Sequence, residues 1–200
     1  MKRKNEHPSN TAIVIAMHGM PPKDFPRGDL SEFFTLHGRI QSAPNSLSDT
    51  QKTRYTQLHD EMRNWPRTPE NDPFHAAAKE ISSLLREKLD YPVHVGYNEF
   101  CAPSMDEAFA SAAAGVPTRI LVVTPMLTRG GDHAELDIPA AIKRAQERFP
   151  NINFTYCWPF GTHYIASFLA AQVRRFLPKN STRRSVNPKH KVGVDEKRSS

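Results

Sequence analysis

Residues 11–17, Thr-Ala-Ile-Val-Ile-Ala-Met, form an unbroken apolar run rich in β-branched side chains. A run of this kind suits a strand buried on both faces, as in a parallel sheet. His18-Gly19-Met20-Pro21-Pro22 follows, and the two prolines stop any helix there. Apolar positions recur at helical spacing in Phe74, Ala77, Ala78, Ile81, Leu84, Leu85 and Leu89, behind an Asp72-Pro73 start signal. Residues 92–97 then read as a second strand, with Asn98-Glu99-Phe100 at its end. Ser104-Met-Asp-Glu107 is a capping box that opens another helix. Ile120–Val123 reads as the third strand. Asp137-Ile138-Pro139 reads as an N-cap and first turn, and Ile138, Ala141, Ile142, Ala145 and Phe149 make the stripe that follows. Residues 151–157 give a fourth strand. A last helix, from about Thr162 to Phe176, is expected to turn Ile165, Phe168, Leu169, Val173 and Phe176 inward. Strand and helix alternating four times predict an α/β fold: a four-stranded parallel sheet with helices on both faces.

One stretch breaks the alternation. Residues 21–73 are punctuated by proline and carry one clear helix signal, the Ser48-x-x-Gln51 capping box ahead of Tyr55, Leu58, Met62 and Trp65. The stretch reads as a helical insertion after strand 1. Phe33, Phe34 and Trp65 are expected to pack it onto the body, since aromatic side chains serve burial first. His37, His59 and His75 are expected at the surface or in caps, and His94 and His163 as structural or solvent-facing residues.

Composition narrows the class. The chain has 200 residues, 38% hydrophobic and 24% charged, enough for one domain with a real core. No apolar run approaches a membrane span, and no signal-peptide apolar region follows the basic N-terminus. Two cysteines, Cys101 and Cys157, make no disulfide framework and have no metal-site spacing. They are expected as buried or half-buried thiols, and a reducing compartment, the cytoplasm, is the expectation. The net charge of +6 resides in the termini: from Pro178 to Ser200 there are seven Lys/Arg against two acidic residues, and from Met1 to His7 three against one. The domain plan is therefore a basic segment at 1–10, an α/β domain at 11–177 with its insertion at 21–73, and a basic tail at 178–200, expected to be disordered. No aromatic–basic interleaving or known module supports nucleic-acid binding.

Candidate chemistry gathers at strand ends. His18, Glu99 and His133 each follow a strand on the edge where open α/β sheets place ligands. Two imidazoles and a carboxylate suit Co or Fe, and serve zinc as well. His133 lies in Thr124-Pro-Met-Leu-Thr-Arg-Gly-Gly-Asp-His-Ala-Glu-Leu-Asp-Ile-Pro139, where Gly130 and Gly131 permit a tight turn close to a flat ligand.

Three stretches carry a resemblance: Pro125 to Pro139, His18-Gly19, and Glu99 within Gly96-Tyr-Asn-Glu-Phe-Cys-Ala-Pro-Ser104. Together they resemble the class II chelatases of the CbiX/SirB type, over roughly residues 11–20 and 74–177. The resemblance implies a flavodoxin-like half and insertion of Co²⁺ or Fe²⁺ into sirohydrochlorin. In that reading His18, Glu99 and His133 handle the metal and catalyse insertion, and Met20, Thr128, Arg129, Gly130 and Gly131 contact the tetrapyrrole. The divalent metal is a substrate, no organic cofactor is expected, and a single half implies a homodimer. The alternative is a chelatase-like protein that binds metal or tetrapyrrole without insertion. The sequence departs from the family pattern at Met20-Pro21, at Asp132 and in the insertion.

Overall fold

A computed structural model describes residues 10–43 and 45–178. The basic tail beyond Pro178, for which disorder was expected, and the basic N-terminal segment before Asn10 lie outside the described residues. Up to Phe160 the described residues form one compact unit and from Gly161 a second.

In the first unit four parallel strands, β1 (Thr11–Met17), β2 (Val93–Tyr97), β3 (Arg119–Val123) and β4 (Asn153–Tyr156), lie in the order β2-β1-β3-β4. The expected α/β sheet is therefore present. Strand β1 is central, which accounts for its unbroken apolar run: Val14 and Ala16 are fully buried on one face, and Ile13 and Ile15 nearly so on the other. The chain reaches β2 on one side of β1 and returns to β3 on the other. The topological switch point, where such sheets bind ligands, falls between β1 and β3.

Helices cover both faces. Helices α4 (Met105–Ala113) and α5 (Ile138–Arg148) bury Phe109, Ala112, Ile138 and Ala141 against Val14, Ile120 and Val122. Helix α3 (Pro73–Leu89) covers the other face through Ala78, with Phe74 and Leu85 beside it. The sequence signals at their starts are realised: the Asp72 carboxylate accepts the His75 N–H at 2.8 Å, and Ser104 and Glu107 form the capping box.

The insertion holds two helices rather than one: α1 (Arg27–Ser42) and α2 (Asp49–Arg63). Helix α1 escaped the sequence reading because Pro26 stands at its N-cap position and no side chain caps it. Its apolar face shows only when folded against α2, where Phe33 meets Leu58 and Met62, all at or near zero exposure. Full burial of each is worth about 1.5–3 kcal/mol. Phe25 and Phe100 complete this cluster, so the insertion shares its core with the residue that follows Glu99. Trp65 packs on Phe25 and donates to Asp24 at 3.0 Å, both within the insertion itself. Phe34 departs from that expectation and stays 44% exposed.

Four described histidines away from the strand tips serve packing and local bonding. His37 and His59 flank Tyr55 in one aromatic stack, His75 stacks on Tyr97, and His94 bonds Ser111 at 3.1 Å. Cys101 is buried as expected, whereas Cys157 is exposed, because it lies just past the end of edge strand β4.

In the second unit the described element is helix α6 (Thr162–Arg174). The inward stripe expected for it is absent: the helix buries none of its residues, and Phe168 and Phe176 are 63% and 79% exposed. Periodicity marks an apolar face but carries no information about what covers it.

Candidate metal centre

The three strand-tip residues come together. One ligand atom from each of His18, Glu99 and His133 lies within 4.8 Å of the others, and no other such group of His, Cys, Asp and Glu occurs among the described residues. Donors about 2.1 Å from one ion are separated by at most about 4.2 Å, so small side-chain rotations close the trio on a metal. All three are half-buried, accessible to an incoming ion.

The first two are joined by the backbone. Beyond the sheet proper, the tips of β1 and β2 continue their ladder: the Asn98 N–H donates to the Met17 carbonyl and the Glu99 N–H to the His18 carbonyl, both at 2.9 Å. Gly19 permits this approach. It takes φ +97°, and a Cβ there would lie 1.9 Å from the Glu99 carbonyl oxygen. Only glycine fits.

His133 arrives from the loop after β3. Gly130 turns that loop with φ 94°. Its N–H donates to Glu135 at 2.9 Å, and this bond, followed by Arg129, holds the Glu135 carboxyl below its usual range. His133 does not precede the helix as expected; it begins a π-helical turn, His133–Asp137, that runs straight into α5. Such turns recur at functional sites. Two donors from the edge of the sheet hold this segment: Tyr156 to the Ala134 carbonyl and Trp158 to the Met126 carbonyl, both at 3.1 Å. Burial pushes the Tyr156 phenol up to about 12, so it remains a donor.

Asp137 is a correction. It makes no cap bond; its carboxylate accepts from His133 Nδ1 at 2.6 Å. The π-helical turn already supplies helical backbone upstream, which leaves no N-terminus there to cap. His18 Nδ1 likewise donates to the Gly19 carbonyl, at 2.5 Å. A ring nitrogen facing a carbonyl or carboxylate carries the proton, so in the neutral form of each ring it is Nε2 that has the lone pair to offer a metal. The two rings stand edge to face with centroids 4.2 Å apart. The His-x-x-x-Asp spacing, one helical turn, was the available signal for this partner.

The surroundings are acidic and aromatic. Beside Glu99 lies a pocket of about 310 Å³ lined by Asn98, Asp106, Asp137 and Arg144 among others; Arg144 is engaged by Asp106 at 3.1 Å. On the other side the His18 ring faces Phe100, centroids 6.4 Å apart, and Phe100 meets Phe34 at 5.8 Å. Burial, and then the Glu99 carboxylate, push the Tyr55 phenol up, so Glu99 also acts on the insertion.

Of the residues expected to contact a tetrapyrrole, Met20 is 48% exposed, and Thr128, Arg129, Gly130 and Gly131 are exposed in the loop after β3. The Arg129 guanidinium lies over the Trp158 ring, 5.6 Å from its centre. One residue that sequence reasoning missed, Arg67, bonds the carbonyls of Met20 and Phe100.

Comparison with known proteins points to one family. The chain is 34% identical over 77 residues to a sirohydrochlorin ferrochelatase of Priestia megaterium, covering 38% of this chain and 29% of that protein. It is 31% identical over 87 residues to a sirohydrochlorin cobaltochelatase of the same organism, covering 42% and 28%. The chain thus matches less than a third of the length of these two relatives. The crystal structure of the sirohydrochlorin chelatase SirB from Bacillus subtilis subspecies spizizenii in complex with cobalt aligns with a TM-score of 0.42 at 17% identity, over 83% of this chain and 50% of that one. The CbiX family model matches residues 70–175, a span that holds Glu99, His133 and Asp137. That span is more than half of the 200 residues, and the chain belongs to the CbiX family.

Proposed function

We propose that this protein inserts Co²⁺ or Fe²⁺ into a sirohydrochlorin-type tetrapyrrole. The observation that carries the reading is the convergence of His18, Glu99 and His133 within 4.8 Å at the switch point of the sheet. Imidazole and carboxylate suit both ions. Three protein donors leave coordination positions open for pyrrole nitrogens, and so few donors do not trap the ion.

In this reading His18 and His133 present Nε2 to the incoming ion and Glu99 completes the set. Insertion of one divalent ion releases two pyrrole N–H protons. Glu99 takes up the first on its carboxylate, and solvent reached through the half-open site takes the second. Asp137 holds the His133 ring in orientation throughout. Met20, Thr128, Gly130 and Gly131 line the approach to the macrocycle. Arg129 pairs with a peripheral carboxylate of the substrate, since a guanidinium binds carboxylates through two parallel bonds. A homodimer supplies the second wall of the cleft, and closed two-fold dimers are the commonest assembly. No described helix is long and apolar enough to cross a membrane, and the cytoplasm is the proposed location.

The test is direct. Purified protein is mixed with sirohydrochlorin and each metal, and the absorbance change of the macrocycle is followed. The reading expects metal-dependent conversion well above the protein-free rate, abolished together in His18→Ala and His133→Ala. Conversion no faster than without protein overturns insertion activity; bound Co²⁺ under the same conditions would then favour a binding protein.

A further inference from the structure

The insertion holds a buried cation bonded to two loops of the candidate metal centre, to helix α2 and to its own carboxylate anchor. The Arg67 and Asp72 side chains are 5% and 1% exposed and pair at 2.6 Å. Arg67 Nη1 also donates to the Met20 carbonyl at 2.7 Å. Its Nη2 donates to the carbonyls of Met62 at 2.7 Å and Phe100 at 2.5 Å. Met20 lies two residues beyond His18, and Phe100 directly follows Glu99. Met62 belongs to α2, and Asp72 caps α3. One planar group thus fastens both ligand-bearing loops to two helices.

Two features argue for positioning over plain stabilisation. Phe100 takes φ 55°, in the left-handed region that a bulky residue rarely adopts. Such strain persists beside functional sites only where surrounding bonds enforce it, and Arg67 holds the carbonyl of this very residue. Further, Arg67 Nε is buried with no partner among the described residues. A buried ion pair carrying an orphan donor is a poor way to gain stability, and apolar replacements often do better. The arrangement makes sense where directional donors are required, and a guanidinium supplies them in fixed directions that an ammonium cannot match.

We propose that Arg67 is a positioning residue that sets His18 against Glu99, and that the insertion is thereby a working part of the metal centre. The CbiX match begins at residue 70, beyond Arg67. The inference rests on the metal-binding reading of the trio.

The experiment uses the full chain and Co²⁺ alone. Wild type, His133→Ala, Arg67→Lys and the double variant Arg67→Met/Asp72→Asn are titrated by calorimetry and by the visible d–d absorption of bound Co²⁺, with melting temperatures alongside. Arg67→Lys keeps the charge opposite Asp72 but loses the fork; the double variant leaves no buried charge unpaired. Wild-type binding that is lost in His133→Ala establishes the centre. Both Arg67 variants are then expected to be folded, to bind Co²⁺ about tenfold more weakly, the low end of the loss on removing a group bonded directly to a metal ligand, and to show an altered d–d band. Folded variants with wild-type affinity and spectrum overturn the assignment. So does failure of both to fold, which would make Arg67 a folding residue. Absence of binding in wild type, or its retention in His133→Ala, overturns the metal reading and the assignment with it, a failure recognisable without any Arg67 variant.

Discussion

Replacing Gly19 by alanine tests whether the site depends on the close approach of two strand tips. The added Cβ would stand 1.9 Å from the Glu99 carbonyl oxygen, where real contacts stay above 3.0 Å. The two tips must therefore separate by about 1 Å. The φ of +97° adds a second penalty, about 1–2 kcal/mol for a side chain in left-handed backbone. Forcing a methyl into a closed space costs about 1–3 kcal/mol more. Each bond at the tips that fails to re-form, Glu99 N–H to His18 carbonyl first among them, removes about 0.5–1.5 kcal/mol. With the first of those bonds lost, the total expected loss is about 2.5–6.5 kcal/mol of unfolding free energy. Metal binding should suffer beyond this, because the same movement pulls His18 from Glu99 in a cluster already 4.8 Å wide. Urea denaturation gives the stability change, and Co²⁺ calorimetry on protein verified as folded gives the affinity. Gly38→Ala is the control: Gly38 lies inside α1 with nothing within 4 Å of its added Cβ, so the change should stabilise by up to about 1 kcal/mol and leave Co²⁺ binding alone. Equal stability and equal Co²⁺ affinity for Gly19→Ala and wild type would refute the reasoning.

Two further outcomes follow from the geometry. Asp137→Asn should weaken Co²⁺ binding about 10- to 100-fold through loss of the His133 partner, with little change in melting temperature, since the Asp137 side chain is 51% exposed; a calorimetric titration matching wild type would contradict the orienting role. The pH dependence of folding should carry a histidine signature: burial, then Arg86, push His94 below its ordinary value of 6.5, and burial, then Lys79, push His75 down as well. Below pH 6.5 the unfolded chain takes up protons that the folded chain resists, so this contribution is intact above 6.5 and lost as pH falls through the depressed folded values. Urea midpoints at pH 7.5 and 5.5 should differ more in wild type than in His94→Gln, and equal differences would remove His94 from the account.

What the sequence determined by itself lies mostly within one turn or one strand. The apolar run at 11–17 suited a strand buried on both faces, and it became one of the two inner strands. The caps at Ser48, Asp72 and Ser104 work through bonds spanning three residues, so they were legible before any fold was known. The site trio was legible for a related reason. Residues that end parallel strands reach the same edge of the sheet, and His18, Glu99 and His133 each end a strand or follow in the loop beyond it. Tertiary structure decided the rest, because the deciding partners are distant in sequence or depend on a backbone form that no local pattern announces. Helix α1 emerged only against α2, and α6 kept its stripe exposed. Asp137 became the partner of His133 because a π-helical turn replaced the expected helix start. Arg67 looked like any charge in a proline-rich stretch until folding set it under the carbonyls of Met20 and Phe100, 47 and 33 residues away along the chain. Burial made its fork of donors the junction between the insertion and the two strand tips that carry His18 and Glu99.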